Sequence, residues 1–484
     1  MPDDSEVRRL ALSCLLLGFV GPTPPGWLLD ALGAGLGGVV LFGSNVGDGS
    51  GQVRELTDRL RSAAGRDVVV ALDEEGGDVT RLDTVRGSTS PGAAALGALD
   101  DPAATEEVYA AIGARLAEAG VTLDLAPVAD VNVEPLNPVV GVRSFGADGE
   151  LVARHVAAAV RGIQRGGTAA CLKHFPGHGA TRSDSHHQVA VLDRGADQLR
   201  SVEFVPFAAG IAAGSRAMMT GHLLAPALDA DALATVSAPI TRTLLRDELG
   251  FGGTVVTDAL EMRAVADTIG MVEGFVRALA AGADAIETGA LDYPELVDAI
   301  PDAVTAALAD GRLTLERLRD ASRRTAALAR AGDPQVPHDA DVVTGVAARC
   351  VEVGGPLPRL RAPLVAECRP PDGMASGALP WSLAEPLARL VDGTEAVAAG
   401  SAGDLDAVAA RVGERSLVVV VRDPDRHAWQ DAAVALADAR PGSVIVDVGW
   451  PALLTGRTPV VRTRGVAPEL LHAAAAALAQ GGSA

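Results

Sequence analysis

Hydrophobic and polar positions in the first two-thirds of the chain repeat one theme. A short apolar run ends in a polar or glycine-rich loop, and an Ala/Leu-rich stretch with helical periodicity follows. The apolar runs are Gly38–Phe42, Val68–Leu72, Val121–Leu125, Thr168–Leu172, Arg216–Thr220, Thr254–Thr257 and Ala283–Ile286. Continuous apolar runs of strand length alternating with helices predict a parallel sheet. Seven such units are legible, and an eighth is expected near Cys14–Phe19 or in the middle loops. The predicted fold class is therefore α/β, a (β/α)8 TIM-type barrel.

Helical periodicity ends near Arg330, and Ala331–Ala340 (AGDPQVPHDA) has linker composition. The β/α rhythm then returns, with strands expected at Ala362–Cys368, Ala396–Ala399, Ser416–Arg422, Ser443–Val448 and Pro459–Thr463. Helices are expected at Trp381–Leu390, Asp404–Val412, Trp429–Ala439 and Pro468–Gln480. This predicts a smaller doubly wound α/β domain after the barrel. The expected division is a catalytic barrel over residues 1–330, a linker over 331–341 and a C-terminal domain over 342–484. The C-terminal part has neither a GxGxxG fingerprint nor a Walker loop, so no nucleotide is assigned to it.

Charge narrows the partners. The 484 residues include 41 Lys+Arg and 62 Asp+Glu, a formal net charge of −21. Such a surface repels phosphate backbones and anionic bilayers, so neither a nucleic acid nor a membrane is expected as partner. The four cysteines, Cys14, Cys171, Cys350 and Cys368, lack metal-ligand spacing and are too few for a disulfide framework. Leu10–Val20 follows Arg8 and Arg9 and superficially resembles an export signal. Acidic residues precede those arginines, though, and no small-x-small cleavage site is clear. It is read as the first structural element, and a cytoplasmic location is expected. No oligomeric state is assigned.

Candidate chemistry clusters behind the strands. LDEEGG follows the second run, KHFPGHG the fourth, TGH the fifth and TDALEM the sixth. A parallel barrel gathers such ends on one face, where its active site forms. Five of the nine histidines, His174, His178, His186, His187 and His222, lie within this stretch. In Lys173–His187 (KHFPGHGATRSDSHH), Asp184 stands two residues from His186. A carboxylate there can accept the imidazole proton, fix its tautomer and raise the basicity of the other nitrogen. Taken alone, an Asp-x-His in a loop reads as readily as a solvated turn. Asp258 directly follows an apolar strand. It can be a nucleophile, a metal ligand or the N-cap of a helix expected from Ala259 onward. Together, Asp258 and His186 would supply the two groups that a retaining glycosidase holds about 5–5.5 Å apart.

Several motifs in order carry a resemblance. They are DEEGGDVTRL (Asp73–Leu82), LDLAPVADV (Leu123–Val131), RSFG (Arg143–Gly146), KHFPGHG followed by DSHH, TRTLLRDELGFGG (Thr241–Gly253) and VVTDALEM (Val255–Met262). In these the chain resembles the two-domain β-N-acetylglucosaminidases of glycoside hydrolase family 3. The resemblance implies Asp258 as nucleophile and His186 as acid/base, with Asp184 as its partner. It implies that Asp73, Arg81, Arg143, Lys173 and His174 bind the sugar, with no metal or cofactor. The implied activity is retaining exo-hydrolysis of non-reducing terminal N-acetylglucosamine, with cell-wall muropeptide fragments as the expected substrate. Asp78 and Glu74 depart from the family motif beside the binding acid, where an effect on affinity or leaving-group preference is expected. Ala259 departs beside the nucleophile.

Blander readings accompany these. His178 is read as structural within its turn and His187 as a loop residue, while His222, after a strand, is left open between lining the site and a structural place. His155, His338, His427 and His472 read as surface residues, and Trp429 and Trp450 as core or interdomain packing. Two rivals to hydrolysis remain: a phosphorylase using the same glycosyl-enzyme, and more remotely a metal-dependent barrel hydrolase using His174, His178, His186 and Asp258.

Overall fold

The computed structural model describes residues 3–47, 50–184, 188–336, 339–371, 373 and 375–481. Eight strands form the first sheet: β1 (Leu15–Leu17), β2 (Gly38–Val40), β3 (Val69–Leu72), β4 (Leu123–Asp124), β5 (Ala169–Phe175), β6 (Ala217–Thr220), β7 (Thr254–Thr257) and β8 (Ile286–Glu287). Their order is β8-β1-β2-β3-β4-β5-β6-β7 and every pairing is parallel. A bridge between Val256 and Ala285 joins the last strand to the first and closes a TIM-type barrel. The expected eighth strand is β1, inside Cys14–Phe19. Leu10–Val20 thus supplies the end of the helix Asp4–Ser13 together with β1.

The barrel interior is filled by small and branched side chains. Leu16, Val40, Val69, Ala71, Leu123, Ala169, Cys171, Ala217, Val256 and Ala285 form one buried cluster. Strand side chains alternate faces with a period of two. The residues two positions beyond Ala71, Cys171, Val256 and Ala285 therefore also face inward, and these are Asp73, Lys173, Asp258 and Glu287. An apolar plug thus becomes a polar mouth within one step along four strands.

Helices cover the outside. Pro102–Glu118 starts with proline in its first turn, where no N–H is needed, and Asp101 accepts from the backbone N–H of Ala103 and Ala104. It packs against Gly149–Arg165, capped by Asp148. A Cβ at Gly113 would lie 2.3 Å from the Ile163 carbonyl oxygen, so only glycine permits this approach. His155, expected at the surface, is instead buried in this interface. Its Nδ1 lies 2.8 Å from Thr105 Oγ1 and its ring stacks on Phe145, so the neighbouring helix supplies the partner that water would have supplied.

The second sheet contains β9 (Glu352–Gly354), β10 (Leu364–Cys368), β11 (Glu395–Ala399), β12 (Leu417–Val421), β13 (Val444–Asp447) and β14 (Val460–Arg462). The order is β9-β14-β13-β12-β10-β11, parallel except for β9 against β14. Separate apolar clusters cover its two faces, with Trp429 packed against one of them. The strand order reverses between β10 and β12, where open α/β sheets leave a crevice at their carboxyl ends. Pro370, Pro371, Gly373, Ala375 and Ser376, after β10, and Arg422, Asp423, Arg426 and His427, after β12, face the barrel mouth across a shared cleft. Val346, Ala347 and Cys350, on the helix Ala340–Cys350, join the barrel's outer core together with Ala467 and Leu470. All four cysteines are free and buried. Among the described residues, no helix is long and apolar enough to cross a membrane.

Asp78 ties the two sheets together. Its Oδ2 accepts from Arg422 at 2.7 Å and its Oδ1 from the Val466 N–H at 2.9 Å. The carboxylate is buried, so removing the guanidinium strands a charge away from water. Arg422→Met is expected to destabilise the protein by about 3–5 kcal/mol. The double variant Asp78→Asn/Arg422→Met should lose much less. Thermal unfolding of the set checks this, and equal losses in both would show that the charge is not the cause.

Candidate active site

The polar mouth opens into a pocket of about 290 Å³ lined by Asp73, Arg81, Arg143, Lys173, His174 and Asp258, with His178, Glu75 and Glu287 beside them. Asp73 and Asp258 each follow the last residue of a strand, so barrel geometry delivers both inward-facing carboxylates to the same height.

Lys173 lies at the centre of the charge network and is 1% exposed. Its Nζ lies 2.6 Å from Asp73 Oδ1 and 2.7 Å from Glu75 Oε1. Glu75 in turn takes a two-pronged bond from Arg143, Nε to Oε2 at 2.9 Å and Nη2 to Oε1 at 2.7 Å. Arg81 Nη2 reaches Asp73 Oδ2 at 3.4 Å. Burial opposes the charge on Lys173, but Asp73 and Glu75 more than offset it and hold its pKa above the ordinary lysine value. Burial likewise pushes Asp73 and Glu75 up. Lys173 with Arg81 for the first, and Arg143 with Lys173 for the second, hold both below the usual carboxylate range. The network is therefore ionised at neutral pH, a preorganised set of charged donors and acceptors for a polar ligand.

His174 is oriented from behind by Asp130. The Nδ1 lies 2.7 Å from Asp130 Oδ2, and Asp130 Oδ1 accepts the backbone N–H of His174 at 3.2 Å and of His178 at 2.6 Å. With Nδ1 engaged, Nε2 is the nitrogen left for a ligand. His178 is structural within its turn, as expected, and also reaches the pocket. Its Nδ1 bonds Thr181 Oγ1 at 2.6 Å within the turn, and its ring also lines the pocket. Burial pushes its pKa down to about 4, so it is neutral at neutral pH.

Asp258 does not cap a helix. The next helix is the short Arg263–Ala266, which begins after Met262, and Asp258 Oδ1 accepts from the adjacent Ala259 N–H at 2.9 Å. His222 is buried behind this loop, with Nδ1 2.7 Å from Thr235 Oγ1 and Nε2 3.0 Å from the Ala259 carbonyl. It braces the segment that carries Asp258.

Asp184 lies in the wall of the interdomain cleft, which shares Val79, Val139, Arg143 and Ala375 with the Asp258 pocket. His186, with His187 and His338, lies outside the described residues. Neither Glu74 nor Asp78 lines the pocket. Glu74 turns into its own loop and accepts from the N–H of Arg81 and Leu82, while Asp78 holds the second domain. The departure at Asp78 therefore falls on the domain interface.

Pocket-related acids outside the expected site set include Glu75, Asp130 and Glu287. Glu75 is the last of three consecutive acids after β3, and that run is itself a signal. Asp130 lies in LDLAPVADV with nothing local to mark its partner, 44 positions away. Glu287 was cut off when the apolar run was ended at Ile286; counting by two from Ala285 would have found it. Among the described residues, no three His, Cys, Asp or Glu side chains converge as a metal-ligating set.

Comparison with known proteins agrees with this geometry. Residues 30–328 match the family model described as glycosyl hydrolase family 3 N terminal domain. A beta-hexosaminidase of Xylella fastidiosa (strain M23) is 38% identical over 302 residues, covering 60% of this chain and 86% of that one. Beta-hexosaminidase A of Pseudoalteromonas piscicida is 36% identical over 270 residues, covering 51% of this chain and 45%, less than half, of that protein's length. Among solved structures, a glycoside hydrolase family 3 beta-N-acetylglucosaminidase from Paenibacillus sp. str. FPU-7 superposes with a TM-score of 0.87 at 30% identity, covering 98% of this chain and 96% of that one. The match over the barrel, and the superposition that takes in both sheets, make this chain a glycoside hydrolase that belongs to glycosyl hydrolase family 3.

Proposed function

We propose that the protein is a retaining exo-β-N-acetylglucosaminidase, with Asp258 as nucleophile and His186, oriented by Asp184, as acid/base. The observation that carries this reading is the placement of Asp258 in one pocket with the ionised Lys173–Asp73–Glu75–Arg143 network. The beta-hexosaminidase and beta-N-acetylglucosaminidase names of the relatives support the choice of sugar.

In the proposed sequence, Asp73, Arg81, Arg143, Lys173 and His174 hold the terminal sugar with its C1 toward Asp258. The Asp258 carboxylate attacks C1 as His186 protonates the departing glycosidic oxygen, giving a covalent glycosyl-enzyme. His186 then takes a proton from water as it attacks C1, and Asp258 is released. Asp184 is the positioning residue that fixes the imidazole tautomer. The leaving group would occupy the interdomain cleft, because Asp184 lines that cleft opposite Pro370, Pro371 and Arg426 of the second domain. Muropeptide fragments are the natural substrates that the sequence resemblance suggests, in the cytoplasm.

Two measurements test the assignments. Wild type should release nitrophenol from 4-nitrophenyl N-acetyl-β-glucosaminide, and Asp258→Ala should lower kcat by about a thousandfold or more. Inorganic phosphate should leave the wild-type rate unchanged; strong stimulation would mark phosphorolysis of the same intermediate instead. Asp184→Ala should lower kcat by about 10–100-fold with KM within about threefold, since it removes orientation and leaves the sugar contacts intact. Full turnover by that variant would remove Asp184 from the mechanism.

A further inference from the structure

The pocket also contains ionisable side chains, Glu287 among them, that have no part in the proposed mechanism. Glu287 ends β8, two positions beyond the inward-facing Ala285, and it lines the same pocket as Asp258. It is 4% exposed, and its Oε2 is buried without a hydrogen-bond partner among the described residues. Its backbone is pinned on both sides, the N–H by Thr257 Oγ1 at 3.3 Å and the carbonyl by the Leu260 N–H at 3.1 Å. The side chain cannot turn away by a local backbone shift. Asp124 Oδ2 is also buried without a partner among the described residues, but Asp124 does not line the pocket.

The charged groups facing Glu287 are Asp258, Asp73, Lys173 and Glu261. Burial first, and then the charge of Asp258, push its carboxyl well above the usual range. A neutral carboxylic acid offers one O–H donor besides its acceptor oxygens. A neutral donor in the floor of a sugar pocket, lacking a protein partner, fits a hydroxyl.

The barrel order indicates which hydroxyl. Asp258 follows β7 and Asp73 follows β3, four strands apart, so they face each other across the mouth. Lys173, on β5, stands on one arc between them, and Glu287, on β8, stands on the other. A pyranose bound with C1 toward Asp258 and C4 toward Asp73 turns its C2–C3 edge to one arc. It turns its ring oxygen and C5, with the C6 hydroxymethyl, to the other. If Lys173 and His174 take the ring hydroxyls, as in the function proposed above, the C6 edge meets Glu287.

We propose that Glu287 is a specificity-determining residue of the glycone pocket, and that its unpartnered carboxyl oxygen hydrogen-bonds the C6 hydroxyl of the terminal sugar. The proposal rests on that reading of the site. It makes the enzyme selective for glycones with a free C6 hydroxyl over 6-deoxy sugars.

The experiment compares kcat/KM for 4-nitrophenyl N-acetyl-β-glucosaminide and its 6-deoxy analogue in wild type, Glu287→Gln and Glu287→Leu. Wild type should prefer the parent by about 10–100-fold, because the 6-deoxy sugar leaves the buried group unmatched. Glu287→Leu should shrink the preference to within about threefold, mainly by losing turnover of the parent. Glu287→Gln, which stays neutral and hydrogen-bonding, should keep it within about fivefold of wild type. The ratio is taken on one enzyme sample, so a partly folded variant does not change it, and Glu287→Ala replaces the Leu variant if that fails to fold. A wild type active on both substrates equally, a Leu variant with the wild-type ratio, or a Gln variant as unselective as Leu would each overturn the proposal while leaving the glycosidase reading intact. A wild type inactive on the parent would overturn both.

Discussion

A lysine ammonium buried in the mouth of a β-barrel is the constraint around which the site is arranged. Lys173 would be costly to ionise there without compensation. It is held ionised by Asp73 and Glu75 at hydrogen-bonding distance, and Glu75 is held in turn by the guanidinium of Arg143. Each of these charges depends on the others, because the desolvation of one is offset only by the placement of its partners. The barrel meets this condition by rigidity. The groups come from the ends of β3 and β5 and from a short 3₁₀ turn at Gly141–Arg143, all standing on a close-packed apolar plug. A network so organised needs little rearrangement to receive a polyhydroxylated ligand, which is the electrostatic basis of the sugar binding proposed for it.

A second layer supports the first. Asp130 holds His174, and His222 holds the Ala259 carbonyl next to Asp258. The C-terminal sheet brings its switch-point crevice to the barrel mouth, and Asp78 secures it with one carboxylate shared between Arg422 and a backbone N–H. The cleft this creates adjoins the Asp258 pocket through Arg143 and Ala375, so both domains shape the space beside it, where the proposed function places the leaving group.

Much of the architecture was legible because its causes are local. Apolar runs of strand length gave the barrel strands to within a few residues, including the eighth at Leu15–Leu17. The polar clusters behind those runs held Asp73, Lys173, His174 and Asp258, since a parallel barrel must bring its strand ends to one face. Where reasoning failed, the missing term was nonlocal. His155 was read as exposed because nothing in its own helix shows that Thr105 and Phe145 of other segments enclose it. Asp258 was weighed as a helix cap because the helix after it was expected four residues too early.

Periodicity and motif order are properties of the chain, so the fold class, the barrel face that gathers the polar clusters and the family resemblance are legible in the order of its residues. Tertiary structure alone decided which acids matter and to whom they bind. It paired Glu75 with Lys173 and Arg143, turned Glu74 into its loop and sent Asp78 to the second domain. Those outcomes depend on distances between segments far apart in the chain, and on burial. The pattern of residues along one strand contains neither.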